Sequence, residues 1–174
     1  AKSGLRANPH DASFEKQYRT FVQLVAPALR QNGGRWGGFG FDLGAQPIHA
    51  AWACDELNRL DVFTGKPVEM GGTDYDKEGI AGLGVVEAAI TLLSERGRAV
   101  EGATVAVQGL GAMGAAVCRY AVERGMHLKF ICDPRIGGCW IIPATLQSGL
   151  MENISTMDFR QTKKTLESTG LSPM

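Results

Sequence analysis

The chain has 174 residues, a length on the order of one domain or one and a part. Its 18 basic residues balance its 18 acidic ones, so no net charge attracts nucleic acid or an anionic membrane, and we expect neither as a partner. No apolar run approaches the ~20 residues that span a bilayer, and no secretory signal precedes the first helix. The sequence therefore predicts a cytoplasmic protein.

The predicted elements begin with two helices separated by a loop. Apolar residues recur at helical spacing over residues 14–29, and a second such run follows Pro47 and continues to about Leu60. The segment between them, residues 33–44, carries six glycines, which indicate a loop where the backbone bends sharply or approaches a ligand. A third helix is predicted over residues 80–93.

The next segment reads as a buried strand, a glycine-rich turn and a helix. Residues 104–108 (Thr-Val-Ala-Val-Gln) precede a G-x-G-x-x-G pattern in residues 109–114, which we call the glycine loop. Its three glycines allow a tight turn, close approach of a pyrophosphate and close packing of helix on strand. A second strand, residues 128–132, ends at an acid of suitable spacing for a ribose hydroxyl. The cofactor-binding residues predicted are Gly109, Gly111, Ala112, Met113, Gly114 and Asp133.

Two observations leave alternatives open. A glycine-rich turn also occurs in α/β proteins that bind no cofactor. The C-terminal segment, residues 141–174, is polar and contains at best one amphipathic helix, between Met151 and Leu166. It covers part of the sheet, exchanges with a partner, or is disordered.

The four cysteines predict neither a metal site nor a disulfide framework. None of them has C-x-x-C spacing. Cys118 falls in the predicted helix and Cys132 at the end of the second strand, where buried free thiols are expected.

Five short segments, in order and spacing, resemble the glutamate/leucine/phenylalanine/valine dehydrogenases, with the glutamate dehydrogenase branch as the best fit. They are residues 1–6, 41–44, 64–73, 105–111 and 132–138. The resemblance implies an α/β protein with part of a substrate domain followed by the first half of a Rossmann-type dinucleotide-binding domain. The expected boundaries are residues 1–72 for the former, 73–140 for the latter, and the C-terminal segment beyond.

The same resemblance implies NAD(P)-dependent oxidative deamination of an L-amino acid to a 2-oxo acid and ammonia. Lys2 would polarise the developing carbonyl, and Asp42 would exchange protons with the substrate nitrogen. On the residues alone, they read as a flexible terminal lysine and a turn-forming acid. Asp133 slightly favours NAD over NADP, although Arg135 is placed to pair with a 2′-phosphate.

Whether this chain is itself an active enzyme stays open at this point. Ser3, Phe41 and Ala81 stand where the family has glycine, proline and threonine, and 41 residues after Asp133 are too few for the second half of a dinucleotide fold. The alternative to a dehydrogenase is a truncated, catalytically inactive remnant that acts as an oligomeric structural protein or binds nucleotides weakly. Unpaired edges of a half-built parallel sheet predict a homo-oligomer in either case.

Overall fold

The computed structural model describes residues 3–30, 33–42 and 44–174, and the chain forms two compact units, Ala1–Asp74 and Tyr75–Met174. Helices α1 (Phe14–Val25) and α2 (Pro47–Leu57) pack together in the first unit, joined by irregular chain. The core of this unit consists of side chains from both helices and from the segments that follow them: Val22, Leu29, Ala50, Ala53, Cys54, Val62 and Phe63.

Both helices of the first unit are shorter than the apolar spacing predicts. Helix α1 ends at Val25, and residues 26–28 form a 3₁₀ turn around Pro27, because a proline there lacks an N–H and its ring clashes with the preceding turn. Helix α2 ends at Leu57 because Asn58 adopts a left-handed conformation, with φ of 49°. Periodicity therefore located the helices, and local backbone chemistry set their ends.

The second unit is an α/β assembly, as predicted. Its elements in chain order are α3 (Tyr75–Glu78), α4 (Ile80–Glu95), β1 (Thr104–Gln108), α5 (Ala112–Glu123), β2 (His127–Asp133), β3 (Gly138–Ile141), α6 (Gln147–Ser155) and α7 (Phe159–Ser168). Within the described residues the sheet order is β1-β2-β3, with β1 parallel to β2 and β3 antiparallel to it. The sheet is thus mixed, and the expectation of a purely parallel half-sheet was wrong.

Close helix packing explains one of the two glycines near the start of α4. A Cβ atom on Gly82 would lie 2.5 Å from the Cβ of Ala116 in α5, so the two helices approach each other only because residue 82 has no side chain. A Cβ on Gly84 would meet nothing within 4 Å. This contact fixes the position of α4 against α5, which is the helix of the βαβ unit that carries the glycine loop.

The C-terminal segment is folded and forms two helices where the sequence predicted at most one. Leu150 and Ile154 from α6 and Leu166 from α7 are buried in the same core as strand β2. Gln147 is also buried, and its side-chain oxygen accepts the backbone N–H of Leu128 at 2.9 Å. Of the three alternatives, the segment covers part of the sheet.

Within the described ranges, none of the helices has the length and apolarity that crossing a bilayer requires.

Truncating Leu166 tests whether α7 belongs to the core. We expect Leu166→Ala to lower the free energy of unfolding by about 2–5 kcal/mol, because the side chain is fully buried and its removal leaves a cavity. Leu24→Ala, at a leucine of α1 that is 77% exposed, is the control and should cost much less. Urea unfolding measures both, and equal losses would show that α7 does not contribute to the core.

Candidate functional site

The glycine loop leaves β1 through a turn that two glycines make possible. Gly109 has a φ of +87°, which favours glycine, and its N–H donates to the carbonyl of Cys132 at 2.7 Å. A Cβ on Gly114 would lie 1.7 Å from the carbonyl oxygen of Gly109. Any larger residue at position 114 would therefore push the first turn of α5 away from the end of β1.

Gly111 is different, because space lies open beside it. A Cβ atom at this position would meet nothing within 4 Å, and its φ of −71° is accessible to any residue. It is the N-cap residue of α5, and among the described side chains none caps this end of the helix. Backbone N–H groups at the start of a helix are donors suited to anions, and here they lie next to open space. Ala112 and Met113 form the first turn beyond it.

Asp133, at the end of β2, is buried and holds the glycine loop. Its carboxylate accepts the N–H of Leu110 at 2.8 Å, so the end of β2 is tied to the turn that follows β1. Arg135 donates its backbone N–H and two guanidinium N–H groups to the same carboxylate, at 2.7 to 2.8 Å. These donors, led by the Arg135 side chain, hold the pKa of the Asp133 carboxyl well below its ordinary value.

The bonds to Asp133 occupy its hydrogen-bonding capacity. Two carboxylate oxygens offer about four acceptor positions, and four hydrogen bonds from described residues use them. The guanidinium of Arg135 is half exposed and lies 3.8 Å from the ring centre of Phe159, where it makes a cation–π contact. The Arg135 bonds come from a half-exposed side chain, whereas the Leu110 bond is internal to the fold.

The cysteine prediction was wrong for the second strand. Cys132 and Cys139 lie opposite each other on β2 and β3 and form a disulfide. No sequence spacing signalled it, because the pairing depends on the antiparallel turn between the strands. Cys118 is a buried free thiol, as predicted, and Cys54 is another.

The predicted catalytic pair falls in the first unit. Lys2 lies outside the described residues. Asp42 is exposed and lines a cavity of about 210 Å³, together with Ser3, which follows Lys2 in the sequence. Phe41, which stands where the family has proline, packs against Phe63 with ring centres 5.2 Å apart. Packing thus restrains the backbone beside Asp42 in place of a proline ring.

Two further polar side chains, His49 and Tyr18, line this cavity, and no strong signal in the sequence pointed to them. His49 is buried beside Phe14 and Trp52, and its Nδ1 accepts the N–H of Gln46 at 3.0 Å. Burial lowers the pKa of His49 and raises that of Tyr18 to about 12, so both are uncharged near neutral pH. The one available signal was the capping position of His49, three residues after Gln46 at the start of a helix.

The fold and the glycine loop together define an α/β protein with a small mixed sheet. The sequence model of the glutamate/leucine/phenylalanine/valine dehydrogenase family matches residues 71–152. An NAD-specific glutamate dehydrogenase of Staphylococcus aureus is 34% identical over 146 residues, covering 76% of this chain and 33% of the relative. The chain thus spans about a third of the length of the curated relatives it matches.

Solved structures agree with this comparison. The hetero-hexameric glutamate dehydrogenase of Thermus thermophilus superposes with a TM-score of 0.66 and 27% identity, over 88% of this chain and 36% of that one. The glutamate dehydrogenase of Peptoniphilus asaccharolyticus gives 0.65 and 25%, over 84% and 40%. The chain is therefore similar to the glutamate/leucine/phenylalanine/valine dehydrogenase family over these stretches, and the resemblance of its motifs to the glutamate dehydrogenase branch is confirmed.

Replacing Asp133 should make the stability of the second unit less dependent on acid. The lowered pKa means that the carboxylate stabilises the fold fully above the ordinary Asp pKa of about 3.9, and that this stability is lost as the pH falls through the lower pKa of the folded state. We expect Asp133→Asn to cost about 1–3 kcal/mol at pH 7. The difference from the unaltered chain should shrink below about pH 4.

Urea unfolding at pH 7, 5, 4 and 3 measures this difference. Asp158→Asn, at a helix cap elsewhere in the same unit, is the control for a general effect of removing a carboxylate. A difference between Asp133→Asn and the unaltered chain that stays constant down to pH 3 would contradict the assigned role of Asp133.

Proposed function

We propose that this chain carries the pyrophosphate-binding half of an NAD(P)-dependent amino-acid dehydrogenase. The observation that carries the proposal is the open space beside Gly111, at an uncapped helix end that directly follows a strand of the sheet. The family supports the reaction, which is oxidative deamination of an L-amino acid to a 2-oxo acid and ammonia.

The residues of the second unit have distinct roles in this proposal. The N–H groups of Ala112, Met113 and Gly114 bind pyrophosphate oxygens at the start of α5. Asp133 accepts a ribose hydroxyl once Arg135 releases part of the carboxylate. The bound nicotinamide supplies the acceptor for the substrate hydride, and the protein supplies its position.

The first unit supplies the acid–base groups in this proposal. Lys2 stabilises negative charge on the oxygen that water adds to the substrate α-carbon, and Asp42 exchanges protons with the substrate nitrogen. The cavity that Asp42 lines supports this assignment, since Ser3 lines it also. A neutral His49 in the same wall has its Nδ1 occupied by the Gln46 N–H, so its Nε2–H is a hydrogen-bond donor that adds no charge.

The choice between NAD and NADP depends on Asp133 and Arg135. A free Asp133 carboxylate bonds the 2′-hydroxyl of NAD and repels a 2′-phosphate, whereas a released Arg135 attracts the phosphate. The S. aureus relative is described as NAD-specific, which supports a slight preference of this chain for NAD. The ion pair between the two residues weakens that preference, because each charge partly cancels the other.

A second candidate function is weak binding of adenine nucleotides without turnover. It is favoured by the position of β1, which lies at the edge of the described sheet and contacts no strand that would carry the nicotinamide side of a site. Calorimetry separates the two candidates: NAD binding much more tightly than ADP indicates a complete site, and equal affinities indicate half of one. A cytoplasmic location stays a prediction from the sequence.

Substituting Gly111 tests the nucleotide site without disturbing the fold. We expect Gly111→Ala to weaken ADP and NAD binding by about tenfold or more, equivalent to ~1.4 kcal/mol, because the new methyl group enters the space of the pyrophosphate. The unfolding free energy should fall by no more than about 1 kcal/mol, since the methyl group meets no protein atom and the loss is limited to that of a poorer N-cap. Calorimetry with ADP, NAD and NADP measures the affinities.

Gly149→Ala is the matched control, because a Cβ there also meets nothing within 4 Å and the position lies in α6, away from the glycine loop. It should bind nucleotides as the unaltered chain does. Unchanged affinity in Gly111→Ala would place any nucleotide elsewhere and overturn the proposed site.

We also propose that the chain forms a homo-oligomer. The edge of β1 and an apolar stripe on α4, which includes the exposed Val85 and Leu92, support association. The T. thermophilus relative is described as hetero-hexameric. Light scattering should give a mass at least twice the 18.6 kDa of one chain, and Val85→Glu should lower it. A monomer over a wide concentration range would contradict the proposal.

A further inference from the structure

A disulfide closes the short segment that carries both charged residues of the proposed nucleotide site. Cys132 and Cys139 are direct partners across β2 and β3, with Cα atoms 4.0 Å apart. Residues 133–138 lie between them and contain Asp133 and Arg135. The disulfide therefore closes this segment into a small ring. The two ends of the ring lie on the neighbouring strands β2 and β3.

The ring is connected directly to the glycine loop. The carbonyl of Cys132 accepts the N–H of Gly109, and the carboxylate of Asp133 accepts the N–H of Leu110. The adjacent N–H groups of Gly109 and Leu110 are thus bonded to Cys132 and Asp133, the first two residues of the disulfide ring. A change in the freedom of this segment changes the position of the loop.

The two bonded cysteines differ from the other two in their access to solvent. Cys132 and Cys139 are partly exposed, whereas Cys54 and Cys118 are buried. Burial also raises the pKa of both free thiols, to about 12 for Cys118, so they carry little of the thiolate that reacts with disulfides. We therefore expect a soluble thiol to reduce the Cys132–Cys139 disulfide, while Cys54 and Cys118 stay unmodified.

We propose that Cys132 and Cys139 form a reversible dithiol–disulfide site that sets the affinity of the glycine loop for adenine nucleotides. This inference rests on the nucleotide site proposed above. A glutathione thiolate attacks one sulfur and breaks the protein S–S bond, giving a mixed disulfide and one protein thiol. A second glutathione thiolate then displaces the other cysteine. Two electrons and two protons pass to the protein, and one molecule of oxidised glutathione is released.

Reduction should loosen the segment without unfolding it. Strand β3 has four residues, and Gly137 and Gly138 have φ values of +90° and +135°, so the disulfide is the covalent restraint on a turn that is otherwise held by non-covalent contacts. Ile136 and Trp140 stay buried, and the indole N–H donates to the carbonyl of Ile136 at 3.1 Å. Ile136 and Trp140 therefore keep the segment packed against the core. The added freedom after reduction is expected at Asp133 and Arg135.

The first experiment measures the modification by itself. The folded chain is equilibrated in glutathione buffers of graded ratio, alkylated and analysed by mass spectrometry. We expect Cys132 and Cys139 to be alkylated together as the buffer becomes reducing, while Cys54 and Cys118 stay unlabelled. A pair that remains unlinked even in oxidised glutathione would overturn the proposal, whatever the chain binds.

The second experiment measures ADP affinity by calorimetry in both states. We expect the reduced chain to bind about fivefold more weakly, at the lower end of couplings between sites. By reciprocity, saturating ADP should shift the glutathione equilibrium of the pair about fivefold towards the disulfide. The double variant Cys132→Ser/Cys139→Ser should bind like the reduced chain in either buffer, and Cys54→Ser should keep the full response. Equal affinities in both states would overturn the proposal.

Hydrogen exchange separates a failure of this inference from a failure of the nucleotide site. If neither state binds ADP, the proposed nucleotide site is wrong. The exchange rate of the Leu110 amide then decides the redox inference, because that amide is bonded to Asp133. Faster exchange after reduction supports the coupling, and an unchanged rate contradicts it. The single variant Cys139→Ser repeats the measurement should the double variant fail to fold.

Discussion

The hydrogen bond from the Leu110 amide to the Asp133 carboxylate is the contact on which the geometry of the second unit depends. It joins the turn after β1 to the end of β2, so the two strands of the βαβ unit end in one connected structure. A buried carboxylate needs donors on both oxygens, and Arg135 supplies the others from outside the sheet. The glycine loop is therefore held by an ionised side chain whose oxygens always need hydrogen-bond donors.

This arrangement places function and stability on the same residue. In the proposed site, Asp133 must give up part of its bonding to a ribose, and Arg135 is the partner that can leave because half of its side chain is exposed. Phe159 from α7 stacks on the same guanidinium. The C-terminal segment is thus connected to the nucleotide site as well as to the core, which is a role that its polar composition did not suggest.

The first unit presents a different case, in which packing of aromatic rings determines the site. Phe14, Tyr18, His49 and Trp52 lie within about 6 Å of one another across α1 and α2. The rings of Phe14, Tyr18 and His49 form one wall of the cavity that Asp42 lines. Because these rings come from two helices distant in sequence, the cavity is a product of helix packing and not of any local motif.

Local chemistry is what the sequence by itself determined. The spacing of Gly109, Gly111 and Gly114 predicted a strand, a turn and a helix, and all three are present, because glycine conformations and apolar periodicity act over a few residues. The resemblance to the dehydrogenase family was also recognisable in short motifs. The sequence also pointed to two site residues that the structure describes. Asp42 lines a cavity, and Asp133 lies at the end of a strand.

The tertiary structure alone decided which residues meet. The antiparallel return of β3 brought Cys132 opposite Cys139, and the folding of α6 and α7 onto the sheet buried Leu150 and Leu166. Neither has a sequence signature, since strand pairing and helix docking depend on the apolar surface that other elements leave uncovered. The bonding of Asp133 to Arg135 has the same origin, because the turn that joins the strands sets the angle between their side chains.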